Sequence, residues 1–244
     1  MRIAFISDIH GNLPGLEAAV ADAKAHGAEQ IVCVGDLTGY GPFPDDVCRF
    51  LAKWEIPSII GNYDLKVMEA AKRGKSSMKK MKAKKLKILS WTVKNIGKQS
   101  LRFLTGLPAN IDMQLPTGHH VLVVHGSPLS ADDAVYPSIT RQGLDKKLGD
   151  ARPDILISGH THIPFVKRFP GMLVVNCGSV GHPIDGDPRP SYALIQAEKG
   201  NEPHGSIIRF DYDCKKTIAA LKKTDLPKAL QKDFAEGNKR RFME

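Results

Sequence analysis

The sequence has little that points to a membrane or an exported protein. Its 244 residues contain no apolar run near the roughly 18 residues that cross a bilayer. The amino-terminal apolar run breaks at Asp8, so it lacks a signal peptide's long core and is typical of a first strand. Four cysteines, Cys33, Cys48, Cys177 and Cys214, form no CxxC pair, which predicts reduced thiols. We therefore expect a cytoplasmic protein without a membrane partner.

Internal repeats and linkers rich in proline, glycine or serine are also missing. At about 150 residues per domain the length allows one or two domains. With no linker, we predict a single domain over residues 1–244. An apolar content of 42% and a charged content of 25% are ordinary for globular proteins, which excludes a chain disordered throughout.

Acidic residues do not balance the basic ones, and the formal net charge is +9. Residues 66–87 hold ten basic residues and one acid, so this segment accounts for the whole excess. We predict a basic helix from Lys66 to Lys87, which is either a solvated face or a surface that attracts nucleic acid. The core of the run lacks aromatic residues for base stacking, which argues against sequence-independent binding of single strands.

The order of hydrophobic patterns predicts the fold class. Strands are predicted at 2–7, 31–34 and 58–60 and helices at 13–26 and 44–54, and such alternation indicates a parallel sheet covered by helices. Residues 64–105 are predicted to form a basic helical insertion, whose Trp91, Val93 and Ile96 pack on the body or on a second copy of the chain. Further strands are predicted at 121–124, 154–157, 165–169, 173–176, 192–196 and 207–212, with helices at 140–148 and 215–237. We therefore predict an α/β fold of two packed sheets with flanking helices.

Polar side chains follow five of the predicted strands. Functional sites of parallel sheets lie outside the carboxyl ends of the strands, so these groups can converge. Side chains two positions apart in an extended segment point the same way, which predicts that Asp8 pairs with His10 and His160 with His162. The full candidate set is Asp8, His10, Asp36, Asn62, His125, His160 and His162.

The chemistry of this set favours a transition metal. It combines four imidazoles, two carboxylates and one amide, with no sulfur. Seven ligands are too many for one tetrahedral ion and suit two ions of higher coordination number that share a carboxylate. Mn, Fe, Zn or Ni fit such a mixed set, whereas Ca and Mg prefer sites made of oxygen alone.

The order of these motifs resembles the calcineurin-like metallophosphoesterase superfamily. The blocks D-x-H, G-D, G-N-x-D, a histidine after a strand, and G-H-x-H occur in that order. Residues 176–192, NCGSVGHPIDGDPRPSY, are similar to a segment of its small bacterial and archaeal branch. The resemblance covers about residues 1–213 and implies two mixed sheets in a four-layer α/β/β/α sandwich.

The resemblance also implies an activity, a metal-dependent phosphodiesterase or phosphatase. A hydroxide between two metals would attack phosphorus in line. The implied ligands are Asp8, His10 and His162 for one metal, Asn62, His125 and His160 for the other, and Asp36 as the bridge. The implied catalytic residues are Asp36, Asn62, Tyr63 and His125.

One residue departs from the family pattern. Tyr63 stands where members with a well-defined phosphomonoesterase or nuclease site usually have histidine. A phenol has a reference pKa near 10 and is a poor proton donor at neutral pH, so we expect a preference for good leaving groups or diesters. Ser179, His182 and Arg189 are further candidates for substrate binding, with Tyr63.

Two other functions compete with a phosphodiesterase acting on a small phosphorylated molecule such as a nucleotide. The first is a nuclease of the same superfamily that uses the basic helix. The second is a non-catalytic metal-bound scaffold or nucleic-acid-binding protein, which degenerate ligands would indicate. None of the seven ligand positions is degenerate.

Overall fold

The fold is described from a computed structural model over residues 1–74 and 81–237. In chain order the elements are β1 (Arg2–Ile6), α1 (Leu13–Ala25), β2 (Gln30–Cys33), α2 (Pro44–Lys53), α3 (Asn62–Arg73), α4 (Ala83–Asn95), α5 (Lys98–Gly106), β3 (Asn110–Gln114), β4 (His120–Val124), α6 (Arg141–Leu148), β5 (Ile155–Ser158), β6 (Phe165–Phe169), β7 (Met172–Asn176), β8 (Ser191–Gln196), β9 (His204–Arg209), α7 (Cys214–Leu221) and α8 (Ala229–Glu236).

The strands form two mixed sheets. The first has the order β2-β1-β8-β9, with β1 and β2 parallel and the other pairs antiparallel. The second has the order β3-β4-β5-β7-β6, in which β4, β5 and β7 run parallel. The parallel strands of each sheet deliver their carboxyl ends to one edge, and that edge carries the candidate site.

Strand alternation divides the core into three layers. In β1, Ile3 and Phe5 face a cluster shared with β4, β5 and β7 of the second sheet. Ala4 and Ile6 face the opposite side, where α1, α2 and α3 cover the first sheet. A third cluster packs the outer face of the second sheet against α6. Because both faces of both sheets are buried, the central strands are apolar throughout, and the predicted two-sheet α/β architecture is confirmed.

Most predicted elements are confirmed within a residue or two, and the differences have physical reasons. Residues 58–60 form only a single bridge from Ser58 to Cys33, so no third strand continues the first sheet there. The edge strand β3 was not predicted because its charged and polar residues alternate with only two apolar ones. The last strand lies at His204–Arg209 rather than at 207–212.

The predicted continuous basic helix is wrong. Helix α3 ends at Arg73, and Gly74 follows with φ +61°, a left-handed conformation that glycine adopts without steric cost. The next helix among the described residues, α4, begins at Ala83. Lys75, Lys79 and Lys80 lie outside the described residues. The described part of the basic segment is therefore divided between the end of α3 and the start of α4.

Other expectations concern the surface and the thiols. Trp91, Val93 and Ile96 pack against the cluster on the helical side of the first sheet, so this stripe is covered by its own chain. The four cysteines are free thiols. Within the described ranges, no helix is both long enough and apolar enough to pass through a membrane.

Candidate metal centre

The candidate site lies where strands of both sheets end. Asp8 follows β1, Asp36 follows β2, and His125 follows β4. The loops are joined by backbone hydrogen bonds: the amide of Asp8 donates to Gly35 at 3.0 Å and the amide of His10 donates to Asp36 at 2.9 Å. Backbone hydrogen bonds alone therefore join these loops into one unit.

The backbone at this edge is unusual. Five of the seven candidate ligands have positive φ values between +50° and +65°, a region that costs energy for residues other than glycine. Asp8 and His10 therefore lie in a folded loop, so the extended-segment argument for their pairing was wrong although the two side chains do meet. Such strain persists only where surrounding contacts impose it, and it clusters at functional sites. The strained ligands are Asp8, His10, Asp36, His160 and His162.

Three of these side chains form a buried first cluster. The Nε2 atoms of His10 and His162 lie 3.1 Å apart, and Nε2 of His162 is 3.1 Å from Oδ1 of Asp8. Among the described residues this carboxylate oxygen is buried and accepts no hydrogen bond. Converging nitrogen and oxygen acceptor atoms are costly to bury unless protons or a cation satisfy them, so this group fits a divalent metal.

A second cluster adjoins the first through Asp36. Its Oδ2 is 3.6 Å from Nε2 of His10 and its Oδ1 is 3.5 Å from Nε2 of His125. The Oδ1 atom of Asn62 lies 3.3 Å from Nε2 of His125 and 3.3 Å from Nδ1 of His160. The carboxylate of Asp36 thus lies between the two groups.

Backbone carbonyls orient three of the imidazoles. The Nδ1 atoms of His10, His125 and His162 lie 3.0 Å, 2.8 Å and 2.5 Å from the carbonyl oxygens of Thr38, Val34 and His182, respectively. Such a bond fixes the ring and leaves Nε2 free to bind a metal. His160 differs, because it turns Nδ1 toward Asn62. His160 and His162 therefore serve different clusters, not the single locus that their spacing predicts.

Burial and neighbouring charges shift the pKa values of the ligand side chains in different directions. Burial lowers the pKa of His10 to about 4, so this imidazole is neutral at pH 7. Burial also lowers the pKa of His125, but Asp36 outweighs it and raises the value to about 10. Burial raises the pKa of Asp8, yet His162 and its neighbours hold that pKa well below its usual range. A metal cation that displaced the histidine protons would therefore bind beside two ionised carboxylates, those of Asp8 and Asp36.

Two further carboxylates support the site. Asp64 is fully buried and accepts hydrogen bonds from the amides of Leu37, Thr38 and Gly61, which ties the loop after β2 to the start of α3. Asp132 accepts from Nδ2 of Asn62 at 2.6 Å, which turns the Oδ1 atom of Asn62 toward the histidines. The sequence analysis missed Asp132, because no motif links it to Asn62.

The ligands open into a cleft of about 1320 Å³. Tyr40 and Tyr63 form its floor, with ring centroids 4.7 Å and 5.7 Å from that of His10. Tyr63 is buried, and its amide donates to Oδ1 of Asp36 at 2.7 Å. Three lysines and a set of apolar side chains complete the lining: Lys66, Lys82, Lys85, Met81, Leu89, Tyr136, Pro137, Ile163 and Ile184.

Comparison with known proteins identifies the family. A family model of the calcineurin-like phosphoesterase superfamily domain matches residues 1–200. The chain belongs to this superfamily. It is 28% identical to a metallophosphoesterase from Sphaerobacter thermophilus of known structure, over 97% of this chain and 99% of the other, with a TM-score of 0.78.

Relatives are also found among curated proteins. An uncharacterized protein of Methanocaldococcus jannaschii is 32% identical over 93% of this chain and 95% of its own length. Phosphodiesterase YfcE of Escherichia coli K12 is 25% identical over 80% of this chain and 87% of its own. The superfamily member described here is thus a metal-dependent phosphoester hydrolase, as the sequence predicted.

The candidate substrate-binding residues of the glycine-rich segment lie outside the lining of the cleft. Ser179 is buried, and its hydroxyl donates to the carbonyl of Asp8 at 2.7 Å and accepts from the amide of His182 at 2.7 Å. His182 lies behind the site, with its ring stacked on Tyr40 at 4.8 Å. The exposed Arg189 pairs with Asp187 at 2.7 Å. Of the four candidates, only Tyr63 lines the cleft.

Proposed function

We propose that the chain is a dinuclear phosphodiesterase that hydrolyses a small phosphate ester or anhydride. The observation that carries the proposal is the position of Asp36, whose two carboxylate oxygens face His10 on one side and His125 on the other. We assign Asp8, His10 and His162 to one metal and Asn62, His125 and His160 to the second. Mn, Fe, Zn and Ni are the candidate ions because the donors mix nitrogen and oxygen.

Two bound cations would supply a water nucleophile of lowered pKa and would neutralise charge on the phosphoryl oxygens. The chain's own residues set the geometry. Asp132 fixes the amide of Asn62, and backbone carbonyls fix the rings of His10 and His125. Positions held in this way need no reorganisation during the reaction.

Tyr63 shapes the choice of leaving group. Burial raises its pKa, and Tyr40 and Asp36 raise it further, so the phenol stays protonated at neutral pH. It can donate a hydrogen bond to a phosphoryl or leaving oxygen, but it does not transfer its proton readily. Esters whose leaving group departs without being protonated, such as aryl diesters, are therefore the favoured substrates of this site.

Paired initial rates test the proposal. Protein loaded with Mn²⁺ is given bis-p-nitrophenyl phosphate or p-nitrophenyl phosphate, and the diester is expected to react faster. The Asp36→Asn variant removes the bridging charge and is expected to lose the activity. If neither ester reacts while two ions per chain are bound, the non-catalytic alternative replaces the phosphodiesterase.

A further inference from the structure

One wall of the cleft is formed by the start of α4. Lys85 and Leu89, four residues apart on the same side of α4, line the cleft, and so does Lys82, the residue that directly precedes the helix. Lys84 points elsewhere, because its amine lies 3.5 Å from Asp233 on α8. The packing of α4 therefore decides which of its lysines line the cleft, and not every basic residue of this region does so.

The charges along the cleft do not balance. Asp36 belongs to the ligand set, and Asp132 pairs with Lys66 at 2.7 Å. Over residues 1–74 and 81–237, no carboxylate lies within 4.0 Å of the amine of Lys82 or Lys85. Within the described part of the chain, these two ammonium groups can therefore pair with an anionic group of the substrate.

The cleft that both the lysines and the metal ligands line is large and partly apolar. A cleft of about 1320 Å³ exceeds the roughly 300–1000 Å³ of an ordinary small-molecule pocket. Tyr136, Ile163 and Ile184 line it with apolar surface. A single small phosphate group at the metal ligands would fill only part of this volume.

We propose that the substrate carries a second phosphate group, which Lys82 and Lys85 bind while the scissile phosphorus lies at the metal ligands. The linker between the two phosphates would lie along the apolar surface near Tyr136. This inference rests on the proposed function for the position of the first phosphate. It narrows the substrate class to phosphoesters or anhydrides with at least two separated phosphoryl groups.

A binding series tests the second subsite without turnover. Protein loaded with Mn²⁺ is titrated calorimetrically with α,ω-alkanebisphosphonates of three to eight carbons and with alkylphosphonates of equal length, whose C–P bonds resist hydrolysis. We expect the bisphosphonate to bind at least about tenfold more tightly at the length that spans the cleft. The double variant Lys82→Gln/Lys85→Gln should lose that gain, and Lys82→Arg/Lys85→Arg should keep it.

Two exposed lysines outside the cleft lining provide matched controls. Lys87→Gln and Lys72→Gln remove exposed lysines outside the cleft lining and should keep the gain. No gain at any length, or a gain that survives the double glutamine variant, overturns the inference. Binding of oligothymidylate with steep salt dependence but no gain from bisphosphonates also overturns it, in favour of nucleic acid. Hydrolysis of bis-p-nitrophenyl phosphate, measured on the same sample, tests the proposed function separately.

Discussion

The two walls of the cleft are built from different kinds of residue. On one side, His10, Asp36 and His162 are buried, and strand-end loops hold them by backbone hydrogen bonds. On the other side, Lys85 on α4 and Lys82 directly before that helix are exposed. We propose that the two walls have different roles. The buried side, here called the rigid wall, would position the scissile phosphorus, and the exposed side with Lys82 and Lys85, here called the helical wall, would select the group attached to it.

Burial explains why the two walls respond differently to substitution. Water cannot replace a lost partner of a buried ligand in the rigid wall. Removal of one charge therefore leaves the remaining polar groups unpaired, at the cost of their full desolvation free energy. A lysine on the helical wall is hydrated before the substrate arrives, and its loss changes affinity only modestly. If this contrast holds, substitutions of buried ligands should have larger effects than substitutions of the exposed lysines.

Asp8→Asn should have the largest effect. The amide keeps an oxygen for the donors Ser7 and His160, and it places an NH₂ group at the buried position that accepts no hydrogen bond, so the fold should survive. We expect at least about a thousandfold loss of diesterase activity, as for loss of a major electrostatic contact in an active site. Steady-state rates and a thermal melt check this. Asp22→Asn, which changes a carboxylate that accepts from Tyr192, is the matched control, and equal losses in the two variants would contradict the account.

Asp132→Asn should have a smaller effect, because Asp132 acts through another residue. Its carboxylate turns the amide of Asn62, so the substitution should lower Mn²⁺ affinity and activity by about 10- to 100-fold. Calorimetry of Mn²⁺ binding separates this positioning role from a direct effect on the substrate. Asp133→Asn is the control, since Asp133 pairs with Lys147 instead. Unchanged metal affinity in Asp132→Asn would remove Asp132 from the site.

Metal binding should release protons. Asp36 outweighs burial and raises the pKa of His125 to about 10, so this ring is protonated at pH 7.5 without metal and must lose its proton to bind one. Mn²⁺ affinity should therefore rise with pH, by about tenfold per unit for each proton released.

Titrations in two buffers of different ionisation enthalpy count the protons. We expect His125→Asn to release about one proton fewer per chain than the wild type. His26→Asn, which changes an exposed histidine at the end of α1, should release the same number as the wild type. Equal proton release in His125→Asn and the wild type would refute the assignment.

Tyr63→His should have the smallest and most selective effect. An imidazole can protonate a leaving oxygen near neutral pH, whereas the buried phenol keeps its proton. For methyl aryl phosphodiesters, we expect a gain of about threefold to tenfold with poor leaving groups and little change with p-nitrophenolate. Tyr63→Phe, which keeps the ring on Gly39, is the control. An unchanged dependence on the pKa of the leaving group would exclude Tyr63 from leaving-group selection.

The sequence predicts the rigid wall better than the helical wall, for a physical reason. Strand-end motifs are local, and buried strands fix where they end, so a convergence of Asp8, Asp36 and His125 follows from the order of strands alone. The left-handed backbone of Asp8 and His160 does not follow, because contacts with other loops impose it. Spacing arguments therefore selected side chains that do come together in the structure, but with an incorrect local geometry.

The orientation of the lysines in the helical wall cannot be predicted from the local sequence pattern. Gly74 ends α3, and tertiary packing decides that Lys82 and Lys85 line the cleft while Lys84 lies beside Asp233. The charge run predicts only that a basic surface exists. Likewise, the sequence offers Ser179 in the glycine-rich segment as a candidate for substrate binding, and it does not indicate that this hydroxyl joins the loops of Asp8 and His182. Tertiary packing decides both cases.

A metal titration tests the central claim most directly. Metal-free protein receives Mn²⁺ in steps, and bound Mn²⁺ per chain is measured beside the rate of bis-p-nitrophenyl phosphate hydrolysis. A dinuclear centre bridged by Asp36 predicts little activity with one ion bound and a plateau at two ions per chain. Full activity at one ion per chain, or activity that does not depend on Mn²⁺, would contradict the account.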